Sequence, residues 1–242
     1  MLLPRSPDLA CRVFSPIATN YDRPAVLLSL LQYRRWHRFL LARLDTAAIE
    51  GQGHGTRVLD MATGTGMLAF ALLQQPGTAV VGADITRAML LQARAKLPQD
   101  GRRLNLVECS AQSPPFQDAA FDAVVFAYLL RYVDDVAETL RRMGLLVKRG
   151  GVMASLDFAI PRGLGYPAWR FYTGFVLPLA GMMFSSWWWQ DASFLGPSIR
   201  DFYRAWSEDD LLDAWRGAGF PDVQAARLSL GGAIVMWGRK EG

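Results

Sequence analysis

Apolar and polar positions along this chain fall into blocks whose period switches between helical and extended. Residues 24 to 45, PAVLLSLLQYRRWHRFLLARLD, carry apolar side chains at helical spacing behind Asp22, with Pro24 as a first-turn residue, and predict one helix ahead of the main body. The glycine-rich GQGHG of residues 51 to 55 reads as a linker. Short apolar runs then alternate with helical stretches: strands over 57–61, 79–83, 103–109, 122–127 and 151–158, helices over 66–75, 86–97 and 134–147. Such alternation predicts a parallel sheet with helices on both faces, although the helix between the strands at 103 and 122 is missing or very short. Near the end, SEDDLLDAWRGAGF has Ser207 and Asp210 as a capping-box start and Gly217 and Gly219 as a stop. Two strands follow, near 222–230 and 232–238, joined at Gly231 and Gly232 as an antiparallel hairpin.

One segment departs from this pattern. Phe171 to Gln190, FYTGFVLPLAGMMFSSWWWQ, has no charged residue and the length of a bilayer span, which takes about 20 apolar residues. A span is rejected, because it would put the last strands across the membrane from the sheet they must join, and Gly174, Pro178, Gly181 and two serines weaken it further. Two readings stay open for Trp187-Trp188-Trp189: a core-packing helix with a turn, or contact with the membrane interface, where tryptophan is favoured.

Composition narrows the class. At 242 residues and 51% hydrophobic content, one sizeable core fits better than two. Cys11 and Cys109 cannot make a disulfide framework, and no Cys/His cluster suggests a metal site, which favours a reducing compartment. The first residues, MLLPRSPDLACRVF, lack the continuous apolar core of a secretory signal, so a cytoplasmic protein is expected. The formal charge is +4, and Lys96, Lys148 and Lys240 are the only lysines. The arginines either make an ordinary solvated surface or suit anionic headgroups and phosphate; without a basic run, nucleic acid binding gains little support.

The chemistry concentrates where the first strand ends. Val58-Leu59-Asp60-Met61-Ala62-Thr63-Gly64-Thr65-Gly66 puts small residues at a strand-to-helix turn, where backbone can approach a ligand and a helix N-terminus offers free N–H groups. Asp84 follows at the end of the second strand, at the spacing of an acidic residue that bonds a ribose hydroxyl. A carboxylate at Asp60 would repel a dinucleotide's pyrophosphate but attract the ammonium group of S-adenosylmethionine, so the pattern favours the methyl donor, with S-adenosylhomocysteine as product.

FSPIATNYD (14–22), RRWHRF (34–39), LDMATGTG (59–66), ADITRAML (83–90), PPFQDAAFD (114–122), LLRYV (129–133), FLGPSI (194–199) and AGF (218–220) occur in that order. The chain thereby resembles, over nearly its whole length, the quinone-biosynthesis C-methyltransferases of the UbiE type. The resemblance implies an α/β, Rossmann-like class I methyltransferase fold with a seven-stranded, mostly parallel sheet, and a lipophilic, quinol-like acceptor. It implies a cofactor set of Tyr21, Asp60, Ala62, Thr63, Gly64, Gly66, Asp84, Ile85, Met89, Ser110 and Ala111. The expected layout is a helical cap (1–50), a cofactor-binding core (51–163), an apolar lid (164–203) and a terminal helix and strands (204–242) within one structural domain. Met67, Ser110, Tyr33 and Pro197 depart from the family pattern, and of its FGLRN segment only Leu130 and Arg131 remain. These departures bear on the acceptor.

For that acceptor, Asp157, His37, Tyr33 and Tyr128 are candidate bases, Tyr33, Tyr128 and Tyr132 can equally line an apolar wall, and Arg131 can stabilise a phenolate. Asp157 can equally be a strand-end turn residue, and His37, in an arginine-rich helix, is expected at the surface. Phe194 and Trp189 are expected in the lid's inner wall. A phospholipid-headgroup N-methyltransferase, or a protein that binds the donor without transferring its methyl, are the competing readings.

Overall fold

The computed structural model describes residues 6–44, 55–97 and 103–241; residues 51–54 of the expected linker, and the boundary drawn there, fall outside them. The apolar runs form β1 (Arg57–Met61), β2 (Ala79–Asp84), β3 (Leu104–Glu108), β4 (Phe121–Ala127) and β5 (Val147–Phe158), paired in parallel. Alternate side chains feed two cores. Val58, Val80 and Val125 join Trp36 and Leu40 on one face, while Leu59, Val81 and Phe126 join Trp215 and Phe220 on the other. Burial on both faces explains why β1, β2, β4 and the second half of β5 read as near-continuous apolar runs, while β3, at the sheet edge, is only partly buried. The hairpin of β6 (Gln224–Leu228) and β7 (Ala233–Arg239) adds to β5 with β7 antiparallel, giving seven strands in the order β3-β2-β1-β4-β5-β7-β6. The order reverses at β1, which lies between β2 and β4, and open α/β sheets bind ligands at the carboxyl ends of the strands there.

In the N-terminal part, α1 (Pro7–Phe14) starts at Ser6, whose side chain accepts from Leu9 N. The single helix expected over 24–45 is two, α2 (Asp22–Leu28) and α3 (Tyr33–Leu41). Leu30 and Leu31 take left-handed backbone, at φ 53° and 62°, and Ser29 accepts Tyr33 N through its hydroxyl, starting the second helix in a new direction. Period alone could not show this, since the apolar spacing continues through the break.

Between strands lie α4 (Met67–Leu72), α5 (Arg87–Ala95) and α6 (Val136–Leu146). α4 is shorter than expected at both ends: Gly66, at φ 84°, is left-handed and lies outside the helix, and after Leu72 the chain runs in turns to Gly77. No helix joins β3 to β4: residues 109–120 form turns, with Phe116 packed edge-on against Phe121. The uncharged stretch folds as α7 (Gly165–Phe171), a π-turn (Tyr172–Val176) and α8 (Leu177–Met182), doubled back on α9 (Ser186–Ala205). Two glycines allow this close crossing: a Cβ on Gly181 would lie 2.7 Å from Trp188 O, and one on Gly196 3.0 Å from Thr173 Cβ. Among the described residues no helix is long and apolar enough to cross a membrane. Last comes α10 (Glu208–Gly217), with the Ser207–Asp210 capping box in place.

Candidate active site

The loop after β1 is held by its own backbone and two carboxylates. Asp60 is buried at the strand end and accepts Thr63 Oγ1 at 2.6 Å, while Thr63 N donates to Ala83 O. Ala62, Gly64 and Gly66 all take left-handed φ, so the alanine stands in a conformation that costs an L-residue about 1–2 kcal/mol. Asp84 accepts Gly64 N on one oxygen and Thr86 N on the other, both at 2.7 Å, so its carboxylate shapes the loop as well as facing the cleft. Each oxygen retains a lone pair. Burial pushes Asp84 up from the usual carboxylate range and Asp60 up to about 7, with the Asp84 charge adding to the second shift. From outside, Asp22 of α2 accepts Thr65 Oγ1 and Lys96 Nζ, and Lys96 also donates to Thr65 O, so the N-terminal segment is clamped onto the loop.

Two clefts open at this edge of the sheet, with about 910 and 1120 Å³ of empty space counted to their open mouths. The first is lined by Tyr21, Asp60, Ala62, Thr63, Gly64, Asp84, Ile85, Met89, Ser110 and Ala111. Of the expected cofactor set only Gly66 stands behind it, where an added Cβ would fall 2.8 Å from the Phe70 ring. Ser110 Oγ accepts Gln112 N at 3.2 Å.

The second cleft runs under α7 to α9 and is lined by Leu28, Trp36, Arg131, Phe158, Tyr172, Trp188 and Asp191. Phe14, Tyr21, Tyr33, Tyr128 and Tyr132 line both clefts and form a shared aromatic wall. Tyr128, at the end of β4, has φ 58°, an outlier for so bulky a residue; it is held by its N–H to Leu156 O and by stacking on Phe158 at 4.6 Å. Its hydroxyl has no partner among the described residues.

Arg131 is buried in the wall of the second cleft. Its Nε donates to Asp157 Oδ1 at 3.2 Å, its Nη1 donates to Ser198 Oγ at 3.3 Å, and its guanidinium lies over the rings of Tyr132 and Phe158. Asp157, the candidate base, lines neither cleft; its Oδ1 accepts both Arg131 Nε and Phe158 N, so it stands behind Arg131. Asp191 lines the second cleft, and burial pushes it up to about 6 against the pull of Arg131.

Two further expectations change. His37 is not at the surface: it is 6% exposed, lies 4.1 Å ring to ring from Tyr33 and lines the first cleft with Nε2 unpartnered among the described residues. Burial lowers it to about 4, so it is neutral. The signal was present in the sequence, because 33, 36, 37 and 40 recur at helical spacing and all four are buried, the arginines occupying the other face. Of the three adjacent tryptophans it is Trp188 that faces the second cleft, stacked 5.8 Å from Tyr21, whereas Trp189 is exposed and Phe194 lines neither cleft. Helical rotation turns neighbours of an inward residue away.

Residues 7–240 match the model of the ubiE/COQ5 methyltransferase family. The chain is similar to a ubiquinone/menaquinone biosynthesis C-methyltransferase UbiE of Desulfotalea psychrophila, 36% identical over 95% of this chain and 89% of the relative. It is also similar to a demethylmenaquinone methyltransferase of Lactiplantibacillus plantarum, at 33% over 95% and 94%. Among solved structures, a chain of the complex between the Haloferax volcanii Trm112 methyltransferase activator and a methyltransferase superposes with a TM-score of 0.63 at 17% identity, covering 95% of this chain and 98% of that one, a likeness of fold.

Proposed function

Since the chain belongs to the ubiE/COQ5 methyltransferase family, and is an S-adenosylmethionine-dependent methyltransferase, we propose that its acceptor is a hydrophobic quinol methylated at a ring carbon. The observation that carries this reading is the pair of clefts meeting at one wall of tyrosines. A donor in the first and an apolar ring in the second would face each other there, which is the alignment that methyl transfer needs.

On the donor side, Asp60 attracts the ammonium group and Asp84 accepts the ribose hydroxyls. Tyr21, Ala62, Thr63, Gly64 and Gly66 shape the loop around the amino-acid end. Ile85, Met89, Ser110 and Ala111 enclose the adenine. When bound, the donor supplies an electrophilic methyl group on a sulfonium. The rings of Tyr21, Tyr33 and Tyr128 favour a cation at that place.

On the acceptor side, Arg131 stabilises the charge of a phenolate, Asp157 positions Arg131, and Asp191 takes the ring hydroxyl's proton. Once the ring carbon has accepted the methyl group, its own hydrogen leaves as a proton and the ring oxygen is reprotonated, so that the one proton released overall is the one on Asp191. Tyr128 Oη, buried, unpartnered among the described residues and in the wall that both clefts share, is a polar anchor for a ring oxygen at the junction; His37 Nε2, likewise unpartnered among them, lies on the first cleft. Residues 164–203 act as a lid whose inner face excludes water. The competing readings gain no support, since the relatives named above are quinone-biosynthesis methyltransferases.

The test is incubation with methyl-labelled S-adenosylmethionine and reduced demethylmenaquinone. Label on a ring carbon of the extracted quinone is the expected result. Label in the phospholipid fraction, or donor binding with no transfer to any lipid, would overturn the reading.

A further inference from the structure

The side of α7 and α8 that faces away from the second cleft is as apolar as the side that lines it. Tyr172, Thr173 and Leu177 line the cleft, while Phe171, Phe175, Leu179, Met182 and Met183 follow each other outward at helical spacing and are exposed. Met183 is 86% exposed, and Leu164, just before α7, is 98% exposed. A helix apolar all round is normally enclosed by protein or by lipid.

A second element extends the same surface. The break between α2 and α3 presents Leu30 and Leu31 outward, 64% and 62% exposed, on left-handed backbone that a polar residue or glycine would take more easily. The two elements are neighbours: the Tyr172 hydroxyl donates to Leu28 O, and Leu28, Leu30, Trp169 and Tyr172 together line the second cleft at its lid side. Exposed leucines and phenylalanines on both elements thus lie beside the residues that wall the acceptor cleft on its lid side.

Charge decides what covers this surface. Residues 163–190 contain no acidic residue, and Arg170 is the only charge there. Residues 24–33 are uncharged, bounded by Arg23, Arg34 and Arg35. These four arginines are exposed, and none meets a carboxylate within ion-pair distance among the described residues. Protruding apolar side chains, tryptophans 187 and 189 beside them, and arginines free of carboxylates match a bilayer with anionic headgroups.

We infer that α7, α8 and the α2–α3 turn form a docking surface for an anionic membrane, placing the mouth of the acceptor cleft against the lipid. The purpose of this surface, delivery of a lipophilic acceptor, rests on the reading above; the surface itself does not.

Flotation of the full chain with vesicles tests it, with no donor or acceptor present, so that failure of methyl transfer and failure of docking are separate results. The chain should float with vesicles of phosphatidylcholine mixed with phosphatidylglycerol and far less with phosphatidylcholine alone. The double variant Phe175→Glu/Leu179→Glu should lower the bound fraction roughly tenfold or more, and Arg34→Gln/Arg35→Gln should lower it for the anionic vesicles alone. Neither Phe175 nor Leu179 lines a cleft, so calorimetric binding of S-adenosylmethionine checks the fold; should the double variant fail that check, Met183→Glu takes its place. Docking is refuted if the wild-type chain stays unbound with both vesicles, or if a folded charged variant floats as well as the wild type. It is refuted equally if light scattering gives a dimer that Leu179→Glu dissociates, since a second copy then covers the surface.

Discussion

The cleft around Asp84 and the cleft under Trp188 are made of different materials. The first is built from backbone turned left-handed at Ala62, Gly64 and Gly66 and from carboxylates already engaged, Asp84 by Gly64 N and Thr86 N and Asp60 by Thr63. The second is built from aromatic faces, with the Arg131 guanidinium in its wall held by Asp157 from outside the lining, Asp191 on it, and the Tyr128 hydroxyl, in the wall shared with the first, unpartnered among the described residues. A fixed polar frame suits a ligand that never changes, while a greasy wall with a few polar points leaves substrate choice to shape. Changes in one cleft should therefore leave the other's function standing.

The largest expected effect breaks the acceptor half from within. Asp157→Ala strands the buried Arg131 guanidinium, and losing one partner of a buried pair costs about 3–5 kcal/mol, to be read by chemical denaturation. An unchanged midpoint would mean that Ser198 Oγ and the nearby Asp191 carboxylate suffice to hold the guanidinium.

Next is the donor half: Asp84→Ala should weaken S-adenosylmethionine binding by about 1.5–3 kcal/mol, the range for hydrogen bonds to charged groups, as measured by calorimetry on protein shown to be folded. Equal affinity would remove the ribose assignment.

A pH series sharpens the contrast further. Asp60 sits at about 7 in the free protein and must be ionised to hold the ammonium group, so binding requires release of a proton below that pH. Affinity should fall as pH drops below about 7, toward tenfold per unit, and fall again above the donor amino group's own titration near about 8. Asp60→Asn should bind weakly and lose the acid limb. A wild-type profile flat from pH 8 to pH 6 would place the ammonium elsewhere.

The smallest effects compare single side chains. Trp189→Ala should leave turnover of a short-chain, water-soluble quinol within about 0.5 kcal/mol of wild type, whereas Trp188→Ala should lower it clearly, because of these two only Trp188 lines the second cleft. Ser110→Ala should shift donor affinity by less than Asp84→Ala does, since one neutral hydroxyl contributes about 0.5–1.5 kcal/mol.

The two halves also differ in how far they could be read from the chain alone. The frame of the first cleft was legible because its signals are local: an acid, three small residues and a second acid at the next strand end, each at a spacing that backbone geometry sets. The sheet was legible for the same reason, down to the hairpin of β6 and β7. The acceptor half depends on long-range packing. Nothing near Asp157 in sequence announces that Arg131 will occupy it, nothing in the spacing of 24–45 shows that Leu30 and Leu31 turn the chain, and which of three adjacent tryptophans faces inward follows from the phase of α9. His37 was hidden by arginines that occupy only the other face of its helix, although the buried positions 33, 36, 37 and 40 trace a legible stripe.

The most direct test of the account is a structure of this chain with S-adenosylhomocysteine bound. The ribose hydroxyls are predicted on Asp84, the amino group toward Asp60, and the sulfur at the wall of Tyr21, Tyr33 and Tyr128, facing the second cleft. A nucleoside lodged under Trp188, or a sulfur pointing away from that wall, would contradict it.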